Sequence, residues 1–133
     1  MKGLAVVVAA VVAAVVAVVV ALALTPSASA APTLTGKYRG TITSGFLKGT
    51  WRITFNRSAK TYKVTGPFGS LTGHNRYSGS IITFYRESEG TMCPMPGRYR
   101  FRLKGTTLKF TKVSDPCRPR VMVTAGPTYK RVG

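Results

Sequence analysis

The sequence predicts an all-β domain, folded as an antiparallel up-and-down β-barrel of about eight short strands. Threonine, glycine and aromatic residues are frequent beyond position 30, whereas runs of helix-forming residues are scarce. Apolar and polar residues alternate in short runs, which places one face of each strand in a core and the other in water. Short turns join the runs, and closing such a meander into a barrel removes its exposed edges. A two-sheet sandwich has the same periodicity and is the alternative.

The first half of the domain contains four predicted strands, each with apolar residues at alternate positions. Tyr38 and Ile42 mark the first strand, and Trp51 and Phe55 mark the second. The third strand is short, and the fourth follows a Gly- and Ser-rich loop that holds His74. These strands cover 35–43, 47–55, 62–64 and 80–86, and the loop covers 66–79.

The second half contains four more predicted strands, and no segment has the periodicity of a helix. A loop at 87–96 leads into the clearest alternation, in which Tyr99, Phe101 and Leu103 alternate with basic residues. A Gly-Thr turn leads into the return strand, and an Asp-Pro-Cys bend follows that strand. These strands cover 97–104, 108–110, 121–123 and 128–132.

Residues 1–30 are predicted to be a signal peptide, and residues 31–133 are predicted to be the single folded domain. Lys2 precedes an uncharged run of Ala, Val and Leu, and Ala28-Ser29-Ala30 matches a small-x-small cleavage site. We therefore expect a secreted, extracellular bacterial protein. The apolar run is also long enough to span a bilayer, so an uncleaved N-terminal helix that tethers the domain to the membrane is the alternative.

Cys93 and Cys117 are the two cysteines of the chain, and in a small exported domain an even count predicts a disulfide. Two free thiols or an intermolecular bridge are the alternatives. The two cysteines and His74 lack the ligand spacing of a metal site. We therefore expect no metal and no cofactor, and we expect the domain to be a monomer.

Several short motifs along the domain resemble those of one family of small barrels. They are Gly49-Thr50-Trp51, Ser78-Gly79-Ser80-Ile81-Ile82-Thr83-Phe84, Gly97-Arg98-Tyr99-Arg100-Phe101, Gly105-Thr106-Thr107-Leu108 and Asp115-Pro116-Cys117. Together with Cys93 and Arg120, this run resembles the small secreted lipocalin-like proteins of actinobacteria, which are distant members of the calycin group with fatty-acid-binding proteins and avidins. The resemblance covers nearly all of the domain and implies an eight-stranded barrel that holds one small ligand or is filled by side chains.

The tryptophan of the Gly-x-Trp motif closes one end of a lipocalin barrel, beneath a basic residue from the last strand. The resemblance implies this place for Trp51, with Lys130 or Arg131 as the cation above its ring. The lipocalin motif lies on the first strand, however, whereas a predicted strand with Tyr38 precedes Trp51 here. Another place on the barrel wall is therefore left open for Trp51.

The apolar face of the predicted strands is a candidate site for a small apolar ligand. An aromatic-lined interior would hold such a ligand by burial, although ordinary core packing explains the same residues. The barrel-interior candidates are Tyr38, Trp51, Phe55, Tyr62, Phe84, Tyr99, Phe101 and Phe110.

The polar face carries strong positive charge, because the chain has 20 basic against 3 acidic residues and a formal net charge of +17. Every second residue of the predicted strand at 97–104 is basic, and such a stripe favours an anionic partner. We expect an anionic cell-envelope polymer or lipid headgroups, and nucleic acid has no support beyond charge. A solvated face that aids solubility is the alternative. The polyanion-binding candidates are Arg98, Arg100, Arg102, Lys104 and Lys109.

No pattern of catalytic residues is present, so a non-enzymatic function is predicted. The three carboxylates belong to Glu87, Glu89 and Asp115, and their positions do not match a glycosidase pair. A Ser–His–Asp set would require His74 and Asp115 to converge. Asp115 is instead expected to bond to backbone amides of its own bend and to pair with Arg120.

Three functions are compatible with these patterns. The favoured one is a carrier or scavenger of a small hydrophobic ligand. The second is a cationic surface module that adheres to anionic envelope polymers or lipids. The third, which the calycin resemblance implies, is a protein-binding inhibitor that acts through barrel-end loops near 66–79 and 87–96.

Overall fold

The structure is a computed structural model that describes residues 33–56, 58, 60–88 and 93–133. The predicted signal peptide and Glu89 lie outside the described residues. Within the described ranges, no helix is both long enough and apolar enough to cross a membrane.

The described residues form eight β-strands and one short α-helix, which confirms the predicted all-β class. In chain order, the elements are β1 (Gly36–Ile42), β2 (Gly49–Asn56), β3 (Thr61–Gly66), β4 (Gly69–Ser78), β5 (Ile81–Tyr85), β6 (Gly97–Lys104), β7 (Thr107–Ser114), α1 (Arg118–Ala125) and β8 (Tyr129–Arg131).

The eight strands close into a barrel. Each strand pairs antiparallel with the next one along the chain, and β8 pairs with both β7 and β1. Tyr129 lies opposite Leu108 on one side of β8, and Lys130 lies opposite Arg39 on the other side. The predicted up-and-down barrel is confirmed, and the sandwich alternative is excluded.

The segment predicted as a Gly- and Ser-rich loop at 66–79 is instead mostly strand, because β4 runs through it. Gly73 and Asn75 are buried on the inner face of β4, whereas His74 and Arg76 are exposed on its outer face. The alternation is therefore regular in space. The strand was not predicted because glycine and asparagine at its inner positions do not count as apolar residues in the alternation.

The segment predicted as a strand at 121–123 is instead part of the helix α1. Its buried residues are Arg120, Val123 and Thr124, at the spacing of one helix face rather than of a strand. Pro119 lies in the first turn, where its fixed φ suits a helix and its missing N–H is not needed. The two valines two residues apart gave a false strand signal.

The connections at the two ends of the barrel differ in length. At the long-loop end, strands are joined by residues 43–48, 67–68, 86–96 and 115–128. At the short-turn end, they are joined by residues 57–60, 79–80 and 105–106. The loop proposed near 66–79 for an inhibitor is thus reduced to a two-residue turn.

Aromatic rings fill much of the barrel interior. The ring of Phe110 lies at the centre of this cluster and meets its neighbours at edge-to-face or tilted angles, which aromatic pairs prefer. Its ring centroid lies 6.0 to 6.5 Å from those of Phe55, Phe84, Tyr99 and Tyr129. This packing fixes the barrel wall on which the cavity is built.

Candidate functional site

A cavity of about 340 Å³ opens at the long-loop end of the barrel. Its walls are mainly apolar and come from the inner faces of β2, β3 and β5, together with α1. Phe68 belongs to the lining and is 72% exposed, so it stands at the mouth. The apolar lining residues are Leu47, Trp51, Ile53, Tyr62, Val64, Phe68, Leu71, Phe84, Pro119 and Val123.

Trp51 forms part of the cavity wall near the long-loop end. Its indole N–H donates a hydrogen bond to the carbonyl oxygen of Leu47, with an N–O distance of 2.8 Å. Gly66 makes room for the ring, because a Cβ atom there would lie within 2.7 Å of Trp51 Cδ2. In the described residues, neither Lys130 nor Arg131 covers this ring, and the guanidinium of Arg131 lies against Gly36 instead.

Three charged side chains form a buried network where α1 meets the barrel. The guanidinium of Arg120 donates from Nε and Nη2 to the two carboxylate oxygens of Asp115, at 2.6 and 2.7 Å. It also donates from Nη1 to Glu87 Oε1 at 2.9 Å and from Nη2 to the carbonyl oxygen of Met95 at 2.5 Å. The predicted partnership of Asp115 with Arg120 is confirmed, and Glu87 joins it.

Two tyrosines extend this network into the barrel. The hydroxyl of Tyr62 donates to Glu87 Oε1 at 2.7 Å, and the hydroxyl of Tyr99 donates to Asp115 Oδ2. The backbone N–H of Cys117 donates to Asp115 Oδ1 at 2.9 Å, as predicted for the Asp-Pro-Cys bend. The network therefore links β3, β6 and the connection after β5 to the start of α1.

The protonation of these groups follows from their contacts. Burial works against the charged form of Asp115, but hydrogen bonds from Arg120, Tyr99 and the Cys117 amide outweigh it, and the pKa of the carboxyl is lowered. Burial likewise opposes the charged form of Arg120, but its two carboxylate partners raise its pKa. Burial and then the adjacent carboxylates raise the pKa of Tyr62 and Tyr99, so both phenols remain donors.

Local backbone features place the network at the cavity. Arg86 follows the end of β5 and has a positive φ of 48°, outside the strand region, and the side chain of the next residue, Glu87, is 3% exposed. Gly97 has no side chain, and a Cβ atom there would lie within 2.7 Å of Arg120 Nε. Both Glu87 and Arg120 line the cavity. Sequence reasoning found Arg120 only as a partner of Asp115 and did not find Glu87.

The predicted disulfide between Cys93 and Cys117 is present. It joins the loop before β6 to the residue that precedes α1, with a sequence separation of 24 residues. The bond therefore fixes the start of the helix that covers one side of the cavity.

The eight predicted interior residues are all buried, but they divide into two groups. Trp51, Tyr62 and Phe84 line the cavity. The other five pack within the core, and they are Tyr38, Phe55, Tyr99, Phe101 and Phe110. The apolar face of the strands is thus divided between a cavity wall and a packed core.

The predicted basic residues lie outside the barrel. Arg98, Arg100, Arg102 and Lys104 are exposed on β6, and Lys109 of β7 lies directly opposite Arg102. Barrel closure extends this surface, because Lys130, Arg39 and Arg52 are adjacent in register across β8, β1 and β2. Both ion pairs of the described residues involve Arg120, so these surface cations have no acidic partner there.

His74 and Asp115 are not brought together as a hydrolase set would require. His74 is exposed on the outer face of β4, with its ring centroid 5.7 Å from that of Tyr85. Asp115 lies in the buried network with Arg120. No group of three potential metal-ligating side chains occurs among the described residues.

Comparison with known proteins adds no further assignment. No family model, no curated protein and no solved structure matches the chain. The geometry of the cavity and of the charged surface therefore carries the functional argument.

Proposed function

We propose that this protein is a non-enzymatic binding protein that holds a small hydrophobic ligand in its barrel cavity. The observation that carries this proposal is the cavity itself, about 340 Å³ in volume and lined mainly by aliphatic and aromatic side chains. Ligand sites of proteins are typically concave, mainly apolar and furnished with a few polar groups, and this cavity has all three features.

The volume and the lining define the class of ligand. Small-molecule sites commonly measure about 300–1,000 Å³, so this cavity suits a ligand at the small end of the range. Each methylene group transferred from water into such a site contributes about 0.8 kcal/mol. A short hydrocarbon chain or a compact ring system would therefore bind through burial alone, without a metal or cofactor.

Export and the relation to lipocalin-like proteins belong to the same proposal. The disulfide supports an oxidising compartment, where the domain would act as a carrier or scavenger outside the cell. The closed eight-stranded barrel with a cavity at one end agrees with the calycin resemblance. The position of Trp51, at the long-loop end and with no covering cation among the described residues, differs from what that resemblance implied.

Displacement of a fluorescent probe tests the proposed cavity. N-phenyl-1-naphthylamine should brighten when it enters, and excitation of Trp51, the single tryptophan, should transfer energy to it. Val64→Phe adds volume at the cavity wall and should weaken probe binding by about tenfold or more, since overpacking opposes an occupant by about 1–3 kcal/mol.

Val113→Phe is the matched control, because Val113 is 41% exposed on β7 and does not line the cavity. Its probe affinity should stay within about twofold of the original, as for other surface changes. Equal affinities for both variants, or no energy transfer from Trp51, would contradict binding in the cavity.

The proposed export is tested separately. Native mass spectrometry of protein from the host medium should show a chain starting at Ala31.

A second candidate function is favoured by the surface charge. The exposed cations on β6 and β7 continue through Lys130, Arg39 and Arg52, which gives one basic band across five strands. A band of this kind attracts a polyanion such as an anionic envelope polymer. Such binding should weaken steeply as salt is added, since salt screens charges beyond about 10 Å.

A further inference from the structure

The cavity offers little to a negatively charged ligand. Among the described residues that line the cavity, Arg120 is the only cation. A guanidinium has five N–H groups, and Arg120 directs four hydrogen bonds to Asp115, Glu87 and the Met95 carbonyl. The bidentate pair of donors that would bind a ligand carboxylate, Nε and Nη2, already binds Asp115.

The charge around Arg120 is also unbalanced. Two carboxylates face one guanidinium, which leaves one formal negative charge in excess. The side chains of Asp115 and Glu87 are 0% and 3% exposed, so water screens this excess weakly. A ligand carboxylate would add a third negative charge beside a single buried cation.

At the polar end of the cavity, the hydrogen-bond acceptors of Glu87 and Tyr62 have fewer partners than the N–H donors of Arg120. Both hydrogen bonds to the Glu87 carboxylate end on Oε1, and its other oxygen, Oε2, has no partner among the described residues. The Tyr62 hydroxyl uses its hydrogen in the bond to Glu87, so its oxygen is left to accept a hydrogen bond. Both side chains line the cavity. The polar end of the cavity is therefore suited to receive a hydrogen-bond donor.

We propose that the cavity selects ligands with an apolar body and a cationic or hydrogen-bond-donating head, with an amine as the best fit, and discriminates against fatty acids. The head would lie at Glu87 and Tyr62, and the body would lie against the apolar wall that includes Trp51 and Val64. This inference rests on the proposed ligand-binding function and specifies its ligand class.

Three ligands with the same hydrocarbon chain test the inference. Octylamine, octanol and octanoate are titrated into the purified protein, and binding is followed by the fluorescence of Trp51. Moderate salt screens the net charge of +17, which would otherwise gather octanoate on the outer surface. We expect octylamine to bind at least about tenfold more tightly than octanoate, with octanol between them.

A variant of Glu87 connects the preference to the network. Glu87→Gln keeps an acceptor for Tyr62 and Arg120 but removes the excess negative charge, so octylamine and octanoate should then bind within about threefold of each other. Thr111→Lys is the matched control: it also adds one unit of positive charge, at an exposed position of β7 away from the cavity. It should keep the original preference.

The outcomes separate this inference from the proposed function. If all three ligands bind equally, or if octanoate binds best, the head-group preference is refuted while ligand binding stands. If none of them changes Trp51 fluorescence or displaces N-phenyl-1-naphthylamine, ligand binding itself fails. A preference that survives in Glu87→Gln would show that the network does not select the head group.

Discussion

Arg120 is the residue on which the long-loop end most depends. It is 8% exposed and holds both buried carboxylates of the described chain. Arg120→Met keeps the apolar stem but leaves Asp115 and Glu87 without a cation. We expect the free energy of unfolding to fall by about 3–5 kcal/mol, as when one partner of a buried ion pair is removed. Urea unfolding followed by Trp51 fluorescence measures this loss.

Arg118→Met provides the comparison for that variant. Arg118 lies on the same helix but is exposed, so its loss should change stability by no more than about 0.5 kcal/mol. The difference between Arg120→Met and the original protein should also depend on pH. Because the folded-state pKa of Asp115 is lowered, its contribution is present above the unfolded value of 3.8 and is lost as pH falls through the folded value. Equal stabilities of the two arginine variants above that pH would contradict this role.

Single residues were predictable where their role is local. Asp115 was placed in its bend because an Asp-Pro pair favours backbone bonding there, and the Cys117 amide indeed donates to it. Glu87 was not predictable, because its burial depends on a left-handed residue before it and on Tyr62, 25 positions away in sequence. From sequence alone, a glutamate in a basic chain is interpreted as a solvated charge, because its partners are not known.

At the scale of elements, prediction succeeded wherever both faces of a strand differ in polarity. In β6, for instance, Tyr99 and Phe101 are buried between exposed arginines, and the pattern was visible in the sequence. It failed in β4, whose inner positions include Gly73 and Asn75. Gly73 is required there because a Cβ atom would lie within 2.7 Å of the Tyr62 ring. A glycine therefore stands at an inner position where an apolar side chain would have indicated a strand.

The helix α1 was missed for a different reason. Eight residues are too few for a clear helical period, and one of its three buried residues is an arginine. Tertiary contacts hold it instead: the Tyr129 hydroxyl donates to the Val123 carbonyl oxygen at 2.5 Å, and Arg120 anchors its first turn. A helix of this length is not stable by itself, so contacts with the barrel determine its formation more than its own sequence does.

The disulfide is the covalent part of this anchoring. Replacing Cys93 and Cys117 together by serine should lower the free energy of unfolding by about 3 kcal/mol, because the open chain gains entropy when unfolded. Urea unfolding of this variant, and of the original protein with and without reductant, measures the loss. Reductant should have no effect on the serine variant. An unchanged urea midpoint in the variant would show that the bond does not stabilise the barrel.

At the scale of the whole molecule, closure of the barrel brings together basic residues that are far apart in the sequence. The sequence shows one basic ladder on β6, but it does not reveal that Lys130, Arg39 and Arg52 are neighbours, since the pairing of β8 with β1 is long-range. Arg39 faces a cation on each side, Arg52 and Lys130. Like charges directly opposite each other destabilise a sheet, so this arrangement has a stability cost that an anionic partner would relieve.

Binding to long-chain polyphosphate tests whether the basic band, rather than net charge, attracts a polyanion. Changing Arg98, Arg100 and Arg102 together to Gln removes three cations of the band. We expect affinity at low salt to fall by about tenfold or more, at a few tenths to about 1 kcal/mol for each lost contact. Changing Lys48, Lys60 and Lys63 to Gln removes the same charge from exposed positions outside the band and should have a much smaller effect. Because net charge is equal in the two variants, similar losses would favour a diffuse solvating charge, whereas a selective loss would identify the band as the binding surface.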